Sequence, residues 1–159
     1  VAPQHIENLL KGDPFVSQAL VEGDRRPYPI ALLTLNAEEL GKLARERGLG
    51  DKPAAELVSH PAVMERVRRI VDAVNGHLAS YAQVKRFAVL PADFTQEGGE
   101  LTPTLKVKRR DVRAKHADLE KHVAGQSLPQ ATGGRHTPAK AVTAARINDK
   151  GKARRFREP

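Results

Sequence analysis

The chain has 159 residues, 40% of them hydrophobic, and a formal charge of +8, enough for one globular domain with a packed core and hardly for two. The absence of cysteine excludes disulfides, thiolate zinc sites and a cysteine nucleophile. No apolar run approaches the roughly 18 residues of a bilayer span, and no basic start followed by an apolar block marks a leader, so the expectation is a soluble, cytoplasmic protein with at most peripheral membrane contact.

The chain opens on Val1 rather than Met, and a piece of something longer is expected. "APQHIENLLKGDP" predicts a short helix opened by Pro3, with Ile6, Leu9 and Leu10 on one face, Gly12 closing it and Pro14 forbidding continuation. "FVSQALVEGDRRPYPIALLTLN" holds two β-rich runs, Phe15 to Val21 and Ile30 to Leu35, joined as a hairpin by a Gly-Asp-Arg-Arg-Pro connection. The second run is apolar on both faces, which predicts the middle of a sheet. Asn36 is the expected N-cap of "AEELGKLARERG", whose acidic first turn and basic last turn suit the helix dipole. After Pro61, Val63, Val67, Ile70, Val71, Val74 and Leu78 recur at spacings of three and four and predict a second long helix. Val84 to Leu90 predicts a strand, and Gly98 and Gly99 a turn leading into "LTPTLKVKRRDV". A third charged helix is expected from Lys108 to about Gly125. The fold class is therefore α+β over residues 1–125: a small mixed sheet with a β-hairpin, flanked by about three helices. From Gln126 to Pro159 eight Lys and Arg face two acids, +6, leaving +2 for the 19 basic and 17 acidic groups before it. That segment, rich in Gly, Pro, Thr and Ala, reads as a disordered basic tail.

No phosphate-binding glycine loop, dinucleotide fingerprint, H-E-x-x-H or G-x-S-x-G occurs, so no self-contained nucleotide, metal or hydrolase site is expected. The six histidines lack metal-ligand spacing, and no metal site is assigned. Arg25 and Arg26 in the hairpin connection suit a phosphate, or are simply solvated. Charge alone favours reading Lys106, Lys108, Arg109 and Arg110 as solvated residues beside a helix. Lys106 alone follows a stretch stiffened by Pro103, which suits aiming an ammonium at a partner's phosphate or carboxylate.

"VAPQHIENLLKGDPFVSQALVEGDRRPYPIALLTL" followed by "GELTPTLKVKRRDV" resembles the C-terminal subdomain of long-chain fatty acid–CoA ligases, in the adenylate-forming superfamily. The resemblance covers about residues 1–125. Thr102, Thr104, Leu105, Lys106, Val107 and Arg109 occupy the places of the superfamily motif Thr-x-Ser-Gly-Lys-Ile-x-Arg, with Thr-Leu replacing Ser-Gly. The resemblance implies that Lys106 is a mobile catalytic lysine, with Thr102, Pro103, Thr104 and Arg109 supporting it. It implies ATP with Mg2+, a fatty acid and CoA as reactants, and the N-terminal adenylation domain of the same protein as partner. It further implies that Val1, Ala2 and Pro3 face CoA, with Arg25 and Arg26 as weaker contacts to CoA phosphates or to the partner domain. Nothing in the chain distinguishes CoA from a carrier protein as acyl acceptor. Two rivals of other classes are a stand-alone partner-binding module and a nucleic-acid binder acting through the tail, the latter weakened by the near-neutral balance of residues 1–125.

Overall fold

The computed structural model describes residues 2–23, 28–119, 123 and 140–143, the last four as backbone. Among the described residues nine helices and strands follow one another: α1 (Pro3–Lys11), β1 (Val16–Glu22), β2 (Ile30–Leu35), α2 (Ala37–Glu46), α3 (Ala54–Leu57), α4 (Pro61–Asn75), β3 (Arg86–Leu90), α5 (Arg109–Lys115) and β4 (Lys140–Thr143). A single 3-10 turn, Ser80–Ala82, precedes β3. Helical residues recur after α5 at 117–119 and 123.

The sheet order is β1-β2-β3-β4. The β1–β2 hairpin is antiparallel, with Val21 opposite Ala31, and β2–β3 and β3–β4 are parallel. The sheet is thus mixed, as the sequence predicts, and its α+β character holds. β2 is central and buried throughout because both its faces are covered. Ala31, Leu33 and Leu35 point with Ala19, Val21, Phe87 and Val89 into a core completed by α1, α2 and α4. The alternate residues Ile30 and Leu32 join Leu20, Ala88, Leu90, Phe94, Leu101, Val112, Leu119 and Val123 on the opposite face. This period of two divides the molecule into two cores separated by one sheet.

Local chemistry explains the helix limits. The Asn36 side chain accepts from the Glu38 and Glu39 amides at 3.0 and 3.1 Å, a side-chain N-cap for α2. Pro61 opens α4 at its first turn, and the His60 ring nitrogen Nδ1 accepts from the Ala62 amide at 3.1 Å. Buried Arg86 donates to the Val123 carbonyl at 2.8 Å and lies over the Tyr28 ring, drawing the residues after α5 onto the second core.

The structure adds to the expectations at two points and corrects them at a third. Of the segment read as a disordered tail only Lys140–Thr143 is described, as β4 parallel to β3, and the rest of that reading lies outside the described residues. The one-turn helix α3 was not foreseen, since four residues carry no helical period. The third helix is interrupted after Lys115, where His116 leaves helical geometry with φ −113° and ψ 20°. Among the described residues no helix is long and apolar enough to cross a membrane.

Candidate functional site around Lys106

The second core ends in a small β-loop. Leu101 and Val107 pair as an isolated antiparallel bridge, and the Lys108 amide donates to the Glu100 carbonyl at 2.8 Å. Residues 102–106 form the tip. Thr102, Pro103, Thr104 and Leu105 make a β-turn closed by the Leu105 amide on the Thr102 carbonyl at 2.8 Å, with proline at the position that favours its fixed φ. The Thr102 amide donates to the Lys106 carbonyl at 2.8 Å, and the Lys106 amide to the Thr102 hydroxyl at 3.0 Å. That hydroxyl also meets the Thr104 hydroxyl at 3.1 Å. Leu105 follows with φ 62°, a left-handed conformation costing a side-chain-bearing residue about 1–2 kcal/mol.

The Lys106 side chain leaves this tip into solvent. Among the described residues its ammonium has no ion-pair or hydrogen-bond partner. Arg109, three residues on, is the opposite case. Its guanidinium donates to the Glu7 carboxylate and, at 2.8 Å, to the Val21 carbonyl, and stands 3.7 Å from Glu22 Oε1. Glu7 Oε1 in turn accepts the Val21 amide at 3.0 Å. Glu7 and Arg109 together therefore satisfy both outward-facing backbone groups of Val21 on the edge strand β1. Arg113 Nε reaches Glu22 Oε2 at 3.4 Å. Hence Arg109 begins α5, as expected, but is paired rather than merely solvated, while Lys108 and Arg110 are exposed. Arg109 straps the root of the lysine loop, on one face of the sheet, to α1 on the other.

The other side of the loop root is held by buried Glu100, whose Oε1 lies 3.4 Å from Lys115 Nζ and whose Oε2 lies 3.5 Å from His116 Nε2. Gly98 permits this approach, since a Cβ there would come 2.7 Å from Glu100 Oε1, and Gly99 takes φ 77°. Burial lowers the His116 pKa from 6.5, against the opposing pull of the Glu100 carboxylate, with Lys115 adding to the lowering. The unfolded imidazole thus takes up a proton more readily than the folded one. The stabilisation is complete above pH 6.5 and is lost as pH falls through the lower folded-state value. Thermal melts between about pH 7.5 and about pH 5 are expected to show the wild type losing more stability than His116→Gln. Parallel losses would mean that imidazole burial is not the cause.

Of the other residues singled out in the sequence, Ala2 is exposed as the N-cap of α1 and Pro3, half-buried, occupies its first turn. Val1, Arg25 and Arg26 lie outside the described residues. Thr102, Pro103 and Thr104 lie with Lys106 in the turn, whereas the Arg109 guanidinium is engaged by Glu7, Val21 and Glu22. Sequence reasoning overlooked Glu7, Glu22 and Glu100. For Glu7 a signal was present: an acid between Ile6 and Leu10 on the apolar face of α1 demands a buried cation.

Comparison with known proteins adds an independent line. Residues 1–122 match the family model described as the AMP-binding enzyme C-terminal domain. A Mycobacterium tuberculosis protein named as a candidate fatty-acid–CoA ligase, fadD11, is 39% identical over 132 residues, covering 82% of this chain and 23% of its own length. The long-chain-fatty-acid–CoA ligase FadD15 of the same organism is 36% identical over 122 residues, covering 76% of this chain and 20% of its own. The chain thus spans about a fifth of the length of the curated relatives it matches. Among solved structures, the A-PCP didomain of carboxylic acid reductase from Segniliparus rugosus in complex with AMP superposes with a TM-score of 0.59 at 25% identity, over 77% of this chain and 16% of that one. The adenylation domain of a Mycobacterium chelonae carboxylate reductase shares the fold with a TM-score of 0.63 at 22% identity, over 79% and 18%. With a family model covering residues 1–122, the chain belongs to the C-terminal domains of AMP-binding enzymes.

Proposed function

We propose that this domain is the mobile C-terminal lid of a fatty acid–CoA ligase, in which Lys106 assists formation of an acyl-adenylate before the acyl group passes to CoA. The supporting observation is Lys106 itself: an exposed ammonium, without an acceptor among the described residues, on a tip tied by three hydrogen bonds between Thr102, Leu105 and Lys106. Such a group can be delivered to a site completed by another domain. In adenylation a carboxylate oxygen of the fatty acid bonds to the α-phosphorus of ATP and the bond to pyrophosphate breaks. An ammonium between the carboxylate and the phosphate offsets the charge that builds there, while the backbone ties of the tip fix its direction of approach. Lys106 donates hydrogen bonds in this step and transfers no proton.

Among the described residues no group of three His, Cys, Asp or Glu side chains could hold a metal ion. Mg2+ bound to the ATP phosphates would neutralise part of their charge, and the reading gives this domain no role in holding it. For the second half-reaction, the reading assigns the start of α1, exposed at Ala2 and half-buried at Pro3, to the face that meets the pantetheine arm of CoA.

Fatty acid, ATP, Mg2+ and CoA supplied to the 159-residue chain alone are expected to give no acyl-CoA. A protein joining this domain to its adenylation domain is expected to form acyl-adenylate and then acyl-CoA. Acyl-CoA from the isolated chain would overturn the lid reading. Acyl-adenylate without acyl-CoA, together with transfer to a phosphopantetheine-bearing carrier, would move the acceptor to a carrier protein; the likeness to a carrier-linked didomain supports including that arm.

A further inference from the structure

The geometry points to Leu105 as an apolar docking contact that seats the Lys106 loop against the adenylation domain of the same protein. This inference rests on the lid reading above. Leu105 is the one non-glycine residue with positive φ among the described residues, a conformation that glycine or asparagine adopts with less strain. Its side chain is 60% exposed, one of two large apolar residues so placed among those described. A strained backbone thus presents an isobutyl group that gains little from packing inside this domain.

The partner follows from adjacency. The Cα atoms of Leu105 and Lys106 are about 3.8 Å apart across one peptide bond, so a surface that receives the ammonium also lies within reach of the leucine. A lysine is a point charge on a flexible stem and sets a distance better than an orientation. An apolar contact beside it fixes the rotation of the tip and removes water from around the ammonium, which strengthens its interaction with an anion. The chain covers about a fifth of its relatives' length, and in a protein of that length the remaining body would supply the surface.

The test uses the full-length protein and fatty-acid-dependent ATP–pyrophosphate exchange, which reads adenylation alone. Leu105→Asn and Leu105→Gly both accept the left-handed backbone and delete the apolar group, whereas Leu105→Met keeps it. Both deletions are expected to slow exchange roughly tenfold, the size of effect that partial burial of a leucine supports, with an unchanged or higher melting temperature. Leu105→Met is expected to retain most of the rate. Exchange at the wild-type rate in Leu105→Asn, alongside a Lys106→Ala variant that has lost it, overturns the docking role and leaves the lid reading standing. Wild-type exchange in Lys106→Ala removes the lid reading and this inference with it. A lowered melting temperature in both deletions would assign Leu105 to internal packing and overturn the proposal. A dimer of the wild type that dissociates in Leu105→Asn would assign the contact to a second copy, with the same result.

Discussion

Lys106→Ala in the full-length protein is expected to slow acyl-adenylate formation by about 10²–10³-fold, the usual loss when one preorganised electrostatic donor is removed from a closed site. Thioester formation from supplied acyl-adenylate is expected to change by less than about tenfold, because the lysine serves the step in which charge develops at phosphorus. The variant is a clean probe. The ties that shape the tip run through the Thr102 hydroxyl and the backbone of residues 102–106, and all of them survive truncation of the Lys106 side chain. The melting temperature is therefore expected to stay at the wild-type value. Lys106→Arg is expected to recover little, since a planar guanidinium on a longer stem cannot occupy the position of a compact ammonium. Equal losses in the two half-reactions, or a matching loss of stability, would contradict the role given to Lys106.

The sheet and the principal helices were legible because hydrophobic period and caps agree there. β2 reads as central from its two apolar faces, and α2 from Asn36 and its charged ends, and the structure places both as expected. The loop around Lys106 was legible only as an order of residues. Charge density alone read as a solvated helix start, yet Lys106 is exposed while Arg109 is drawn into a cluster with Glu7 and Glu22. The partners of Arg109 precede it by 102 and 87 positions in the chain, and a linear period cannot bring them together. β4 was missed for a related reason: a four-residue strand pairing with β3 across about fifty residues has no local signature, and the Gly- and Pro-rich composition around it argues for the absence of structure. The left-handed Leu105 was equally hidden, since leucine is a poor indicator of positive φ.

Arg109→Ala is expected to destabilise the domain by about 2 kcal/mol, less than the roughly 3–5 for a fully buried pair because Arg109 is 39% exposed and water can enter beside it. Three groups lose their partner together: the Glu7 carboxylate, the Val21 carbonyl, and the nearer side of Glu22, whose Oε1 has no hydrogen bond even in the intact cluster. For a domain of this size the shift in melting temperature is roughly 8 °C. Glu7→Gln is the milder change, because its amide oxygen can still accept the Val21 amide while the charge is lost. Arg109→Lys is expected to resemble Arg109→Ala, since one ammonium cannot serve Glu7 and the Val21 carbonyl in the fixed fork that a guanidinium provides. If the cluster acts as a unit, Glu7→Gln combined with Arg109→Ala costs less than the sum of the two single changes. Strict additivity would show that the contacts are independent, and a shift of under about 2 °C for Arg109→Ala would show that the strap contributes no stability. Because this strap joins α1 to the root of the Lys106 loop, its loss is also expected to lower adenylation in the full-length protein. That loss should be smaller than for Lys106→Ala, since the lysine remains and only its aim is relaxed.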